Sequence, residues 1–150
     1  MMFSISYLSK SQYDDYPAQE LLIQSEISRR FAVLKLNGVD YKFSWSSDLI
    51  TPEISELSNS YLFIGIDQNC ILINNDSHKV FELDYFYCEY IQLFDKLVVF
   101  SEMQLIIISM QNGVLLDTVN LDDTYEDFQV CENEITINLS NGGTSQYVLY

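Results

Sequence analysis

The chain predicts an all-β fold of short antiparallel strands arranged as an incomplete propeller, and three observations predict it. Tyr (11) and Phe (9) are abundant while Ala occurs twice among 150 residues. That balance suits pleated, half-buried strands and withholds the best helix former. Apolar runs of roughly four to eight residues alternate with turn residues, which is strand punctuation. Third, the second two-thirds of the chain is self-similar at about 37 to 38 residues, a spacing at which strand groups stack as propeller blades. A β-sandwich or meander needs the same alternation; the period alone favours the propeller-like form.

The length suits a single domain with a sizeable core. Residues 1–47 read as N-terminal strands and a hairpin cap, and 48–150 as the repeats. "DDYPAQELLIQSEISRR" (14–30) has helical flavour, with Pro17 placed to open a helix, but "ELLIQSEI" reads equally as a strand. "FAVLKLNGVDYKFSW" (31–45) reads as two strands around Asn37-Gly38, the dipeptide favoured in a type I′ turn.

The first repeat holds "YLFIGI", "CILIN" and "KVFEL". The second holds "LVVFSE", "LIIIS" and "VLLDTVNL", with Gly113 after Asn112 supplying a positive φ to a hairpin. "CEYIQLF" and "EDFQVCE" are the remaining strand of each group, and "EITINLSNGGTSQYVLY" is a truncated last unit. "LDYFYCEY" (83–90) sits over "LDDTYEDF" (121–128): Leu83 over Leu121, Asp84 over Asp122, Tyr87 over Tyr125, Glu89 over Asp127 and Tyr90 over Phe128. "QLFDKLVVFS" (92–101) follows over "QVCENEITIN" (129–138) with one residue of slippage. "SNSYLFIG" (58–65) falls a period upstream of "DKLVVFSE" (95–102).

Catalytic signatures are missing from the sequence. His78 is the lone histidine, so no two- or three-histidine metal site is expected, and its place in "NNDSHK" reads as an exposed turn. Cys70 lies eight residues from it, a weak basis for a Cys–His dyad. Cys70, Cys88 and Cys131 have no C-x-x-C spacing, and an odd, scattered set suits buried thiols in a reducing cytoplasm. There is no G-x-S-x-G turn and no glycine-rich phosphate loop. No carboxylate pair stands out for glycoside hydrolysis, and "NLDDTYED" lacks the order of a calcium loop. No metal, cofactor or catalytic residue is expected. Nor is a signal peptide or membrane span: the N-terminus has no basic segment before a long apolar one, and "LIIISM" is too short to cross a bilayer.

Charge is the most distinctive property. Twenty-two acids against seven bases give −15, which disfavours direct contact with nucleic acid or an anionic membrane. "DTVNLDDTYEDFQVCENE" (117–134) carries seven carboxylates, and no basic residue follows Lys96. If the repeat aligns its loops, Asp84, Tyr85, Tyr87 and Glu89 lie beside Asp117, Asp122, Asp123, Tyr125, Glu126 and Asp127. These ten are the candidate partner-binding residues, with tyrosines as contact area and carboxylates steering a cationic partner. Tyr87 and Tyr125 read equally as core residues capping the sheets.

In size, charge, its "LDYFYCEY" and "LDDTYEDF" clusters and its lack of a catalytic motif, the chain resembles the immunity proteins of bacterial toxin systems, including contact-dependent inhibition. The resemblance lies in overall character, so it carries over no family residues. It implies a cytoplasmic, non-enzymatic inhibitor that neutralises a basic toxin domain, such as a nuclease whose cleft is cationic to hold phosphate. Two alternatives come from other classes. One is an assembly subunit that self-associates, for instance as a homodimer, through open sheet edges. The other is a carbohydrate-binding or hydrolytic domain with Trp45 and tyrosines stacking on sugars.

Overall fold

The computed structural model describes residues 2–75 and 77–150. Among these residues strands dominate, in four mostly antiparallel sheets, none of which closes on itself. The chain divides into two compact units, Met1–Glu82 and Leu83–Tyr150.

In the first unit, β1 (Phe3–Leu8), β2 (Glu20–Leu21), β3 (Arg30–Leu36) and β4 (Val39–Trp45) form a sheet in the order β1-β3-β4-β2. Asn37 (φ 51) and Gly38 (φ 82) both take the left-handed conformation at the β3–β4 turn, as the type I′ reading requires. In the stretch 14–30 the strand reading of "ELLIQSEI" holds at Glu20–Leu21 (β2) and the helix opened by Pro17 does not form. The helix lies earlier, α1 (Lys10–Asp15), and Pro17 follows it. Ser9 and Gln12 set its start by exchanging side-chain bonds, Gln12 N–H to Ser9 Oγ (3.2 Å) and Ser9 N–H to Gln12 Oε1 (2.9 Å). Tyr16, just before the proline, is extended, because proline crowds a helical residue ahead of it. Tyr13 docks α1 on the sheet: its ring meets Phe31 at 5.1 Å, and Lys42 Nζ lies 4.4 Å above it.

The second sheet is a meander of β5 (Glu53–Glu56), β6 (Leu62–Ile66), β7 (Asn69–Asn74) and β8 (Ser77–Glu82). It shares one core with the first: Leu34, Phe43 and Trp45 pack with Ile64, Ile71 and Ile73. Burial of apolar side chains on this scale is the main stabilising term. Trp45 is 3% exposed, stacked on Phe43 at 5.4 Å and donating through Nε1 to Ile50 O, so it offers no open face to a sugar. His78 is corrected as well. It sits within β8, half-buried and edge-on to Tyr41 at 6.3 Å, not in an exposed turn; position 76 of that turn lies outside the described residues.

The second unit opens with the meander β9 (Tyr87–Leu93), β10 (Lys96–Ser101), β11 (Gln104–Ser109) and β12 (Leu115–Asn120). A three-stranded sheet follows: β13 (Tyr125–Cys131), β14 (Glu134–Leu139) and β15 (Thr144–Val148). Phe100, Leu105 and Ile107 pack with Ile135, Ile137 and Leu139 in a second core. β13 and β14 begin 38 residues after β9 and β10, with no slippage between them. Both sheets carry a bulge at the equivalent place, Tyr87–Cys88 facing Ser101 and Tyr125–Glu126 facing Leu139. Between the second and third sheets the offset is 34 residues at β6 and β10, 35 at β7 and β11, and 38 at β8 and β12. It grows because β10 is one residue longer than β6 and the β11–β12 connection is longer than its counterpart.

Candidate functional site

At one end of the second unit, four connections meet: residues 83–86 before β9, the β10–β11 turn, the β12–β13 loop and the β14–β15 turn. Backbone bonds stitch them into one surface. Glu102 N–H donates to Phe86 O (3.0 Å), Leu121 N–H to Met103 O (2.9 Å), Tyr125 N–H to Glu102 O (2.6 Å) and Ser140 N–H to Thr124 O (2.8 Å). Leu83 and Leu121, 5% and 6% exposed, anchor the two longer loops from below. The equivalence read between "LDYFYCEY" and "LDDTYEDF" therefore corresponds to two loops that share hydrogen-bonded neighbours.

On this surface Tyr85 and Phe86 are adjacent aromatics, 38% and 46% exposed. Asp84 and Asp122 are exposed, and Asp123 and Glu102 half-buried. Two of these carboxylates are fixed. Glu102 Oε1 accepts from Phe86 N–H at 3.2 Å. Asp84 Oδ2 accepts from the Gln104 amide at 2.9 Å, while Gln104 Oε1 accepts from Asp84 N–H at 3.3 Å. Gln104 is 3% exposed, so this reciprocal pair holds the loop against the sheet. The unit's eleven carboxylates face one lysine, Lys96, at the other end of β10, about 17–20 Å away for a strand of this length.

The remaining sequence-read residues are placed differently. Tyr125 is a core residue, 7% exposed, with its ring stacked at 4.8 Å on Phe100. Its hydroxyl donates to Glu89 Oε2 at 2.5 Å. Burial and then the Glu89 carboxylate hold the phenol well above its ordinary pKa. Tyr87, the equivalent residue, opens β9 half-buried. Asp117, on β12, accepts from the Tyr147 hydroxyl at 2.8 Å; burial, followed by this bond, pushes the Tyr147 phenol up to about 12. Glu126 is exposed at the bulge, and Asp127 accepts from Asn138 Nδ2 at 2.6 Å. Asp84, Tyr85, Asp122 and Asp123 are thus gathered on the loop surface. Glu89 with Tyr125 and Asp117 with Tyr147 bond between the unit's two sheets, and Asp127 bonds within one. Phe86 and Glu102 join the surface without having been singled out. Phe86 stands inside the quoted "LDYFYCEY"; Glu102 carries no signal beyond its place at a strand end.

Of the three thiols, expected to be buried, Cys70 is buried while Cys88 and Cys131 are exposed. Desolvation, followed by Glu102 and Glu89, raises Cys88 to about 11, and burial raises Cys70 to about 12. Both shifts favour the neutral thiol over the nucleophilic thiolate. Among the described residues, no three His, Cys, Asp or Glu side chains group so as to hold a metal ion, and no helix is long and apolar enough to cross a membrane. What the surface offers is aromatic contact area within a field of negative charge.

No protein-family model and no curated protein matches the chain. Among solved structures it is similar to apo AztD from Citrobacter koseri (15% identity, TM-score 0.47, covering 82% of this chain and 41% of that one). A second Citrobacter koseri AztD structure also scores 0.47 at 15% identity, covering 75% and 36%. A complex of an S. cerevisiae Dbp5 variant with Nup159, a Gle1 variant, IP6 and ADP scores 0.48 at 10% identity, covering 99% and 46%. The chain spans less than half the length of each of these matched chains, and nothing about its activity follows from them.

Proposed function

We propose that this chain is a non-enzymatic inhibitor that captures a basic protein, in the manner of a toxin-immunity protein covering the cationic cleft of a toxin domain such as a nuclease. The observation that carries the reading is the loop surface of the second unit. There Tyr85 and Phe86 are exposed among Asp84, Glu102, Asp122 and Asp123, in a unit holding ten of the chain's fifteen excess negative charges. Exposed aromatics make the close contacts of a protein interface, while surrounding carboxylates raise the rate of encounter with a cation-rich partner. The proposed place of action is the cytoplasm, where the three free thiols stay reduced.

The test is capture from the native host with the purified chain as bait, followed by kinetics on the purified captive. One basic protein should be retained stoichiometrically, and its association should slow at least about tenfold between low and physiological salt. Asp122→Asn with Asp123→Asn should slow association, whereas Tyr85→Ala with Phe86→Ala should speed dissociation. A chain that retains nothing and elutes as a dimer would replace this reading with the assembly one.

A further inference from the structure

We propose that the outer edge of β15 accepts an extended, lysine-bearing segment of the basic partner as a fourth strand. Among the described residues β15 is an outer strand of the fourth sheet, in the order β13-β14-β15. Hydrogen bonds at either end fix the phase of its outer ladder: Leu139 N–H donates to Gly143 O (2.9 Å), and Leu149 N–H to Asn133 O (2.8 Å). Counting inward by twos, Ser145 and Tyr147, opposite Ile137 and Ile135, turn their N–H and C=O groups toward β14. Thr144, Gln146 and Val148 turn theirs outward.

Sheet edges are normally guarded by charge, a bulge or brevity. β8 carries Lys79 and Glu82, β5 carries Glu53 and Glu56, and β2 has two residues. In the second unit β9, β12 and β13 each combine a carboxylate with a bulge. β15, "TSQYV", has no charge, no proline and no register break. β1 is similarly uncharged but belongs to the unit holding six of the seven basic residues. Beside β15 lie Glu134, opposite Val148, and Asp117, bonded to Tyr147, with Lys96 bonded to Tyr150 O past the end of the strand. Those carboxylates match a cationic strand. A second copy would bring another −15 to the same edge, which opposes self-pairing. Main-chain bonds would supply affinity, and side chains alternating with the pleat would supply selectivity.

The inference rests on the basic-partner reading only for the chemistry of the occupant, so its test uses a peptide and not the captured protein. The probe is a short acetylated peptide alternating Lys with Thr and Val, followed by amide hydrogen exchange on the full chain. In the free chain Thr144, Gln146 and Val148 should exchange faster than Ser145 and Tyr147. The peptide should slow those three amides at least about tenfold, the change that marks a newly bonded N–H. Gln146→Pro should abolish that protection while leaving Ser145 and Tyr147 protected, because the lost N–H faces away from β14. On the unaltered protein, N-methylating the peptide along one edge should do the same. Three amides already slow in the free chain would overturn the proposal, as would equal protection by an equally charged, proline-interrupted peptide. Failure here leaves the capture experiment standing, and failure of capture leaves the exchange pattern readable.

Discussion

The Tyr125 hydroxyl and Glu89 separate a structural role from a binding one at the scale of a residue. Tyr125 lies under the loop surface, its ring against Phe100 and its hydroxyl on Glu89. Tyr125→Phe keeps the stack and removes the donor from a half-buried carboxylate. The expected cost is about 1–3 kcal/mol, the range for leaving a polar group unsatisfied. Glu89→Gln keeps an acceptor but loses the charge-assisted bond and should cost about 1 kcal/mol. Urea denaturation of both single variants and the double variant checks this, and strict additivity would show that the bond contributes nothing. Capture of a basic partner should be unaffected by Tyr125→Phe once the folded fraction is matched. A tyrosine between polar neighbours fits a core edge and an interface equally well, because its ring is apolar and its hydroxyl polar. For that reason "LDDTYEDF" leaves the burial of Tyr125 undecided, while its carboxylates read directly as surface.

Among the elements, the two-residue turns show what the sequence makes legible. Asn37-Gly38 announces its turn, because Asn and Gly tolerate the left-handed conformation that the turn demands. Phe94 announces nothing, yet it holds φ 56 at the β9–β10 turn with 71% of its surface exposed. A bulky residue there costs about 1–2 kcal/mol in backbone terms. Phe94→Asn should therefore stabilise the chain by about 1 kcal/mol, read as a rise in the urea midpoint at unchanged slope; a lower midpoint would mean that the ring's remaining contacts outweigh the strain. The strands themselves were readable because β-branched and aromatic runs have no other use in a chain with two alanines. α1 escaped because a six-residue helix is too short to show periodicity, although its Ser9/Gln12 box is written in the sequence. β2 falls inside "ELLIQSEI", where a strand was one of two open readings, whereas the paired bulges escaped because pairing geometry, not local composition, creates them.

Across the whole molecule, alkaline pH is the lever that the tyrosines expose. Tyr147 is raised to about 12 by burial and then the Asp117 bond, Tyr125 further by burial and then Glu89, and Tyr13 by burial. Tyr16 is raised chiefly by its bond to Asp40. In the unfolded chain these phenols titrate near their ordinary value of 10.0. Above that pH the unfolded state has released protons that the folded state still binds, so stability must fall as pH rises. The contribution is fully present below pH 10 and, for Tyr147, is used up near 12. For Tyr125, whose proton is held beyond that window, the limiting slope is about 1.4 kcal/mol per pH unit. Urea denaturation in steps from neutrality to strong alkali should show no tyrosine-linked loss below pH 10 and a steepening loss above it. Tyr125→Phe should flatten that limb while starting from a lower plateau. An alkaline limb equally steep in the variant would mean that Tyr125 ionises no differently in the folded and unfolded chain, and that the 2.5 Å contact with Glu89 does not hold its proton.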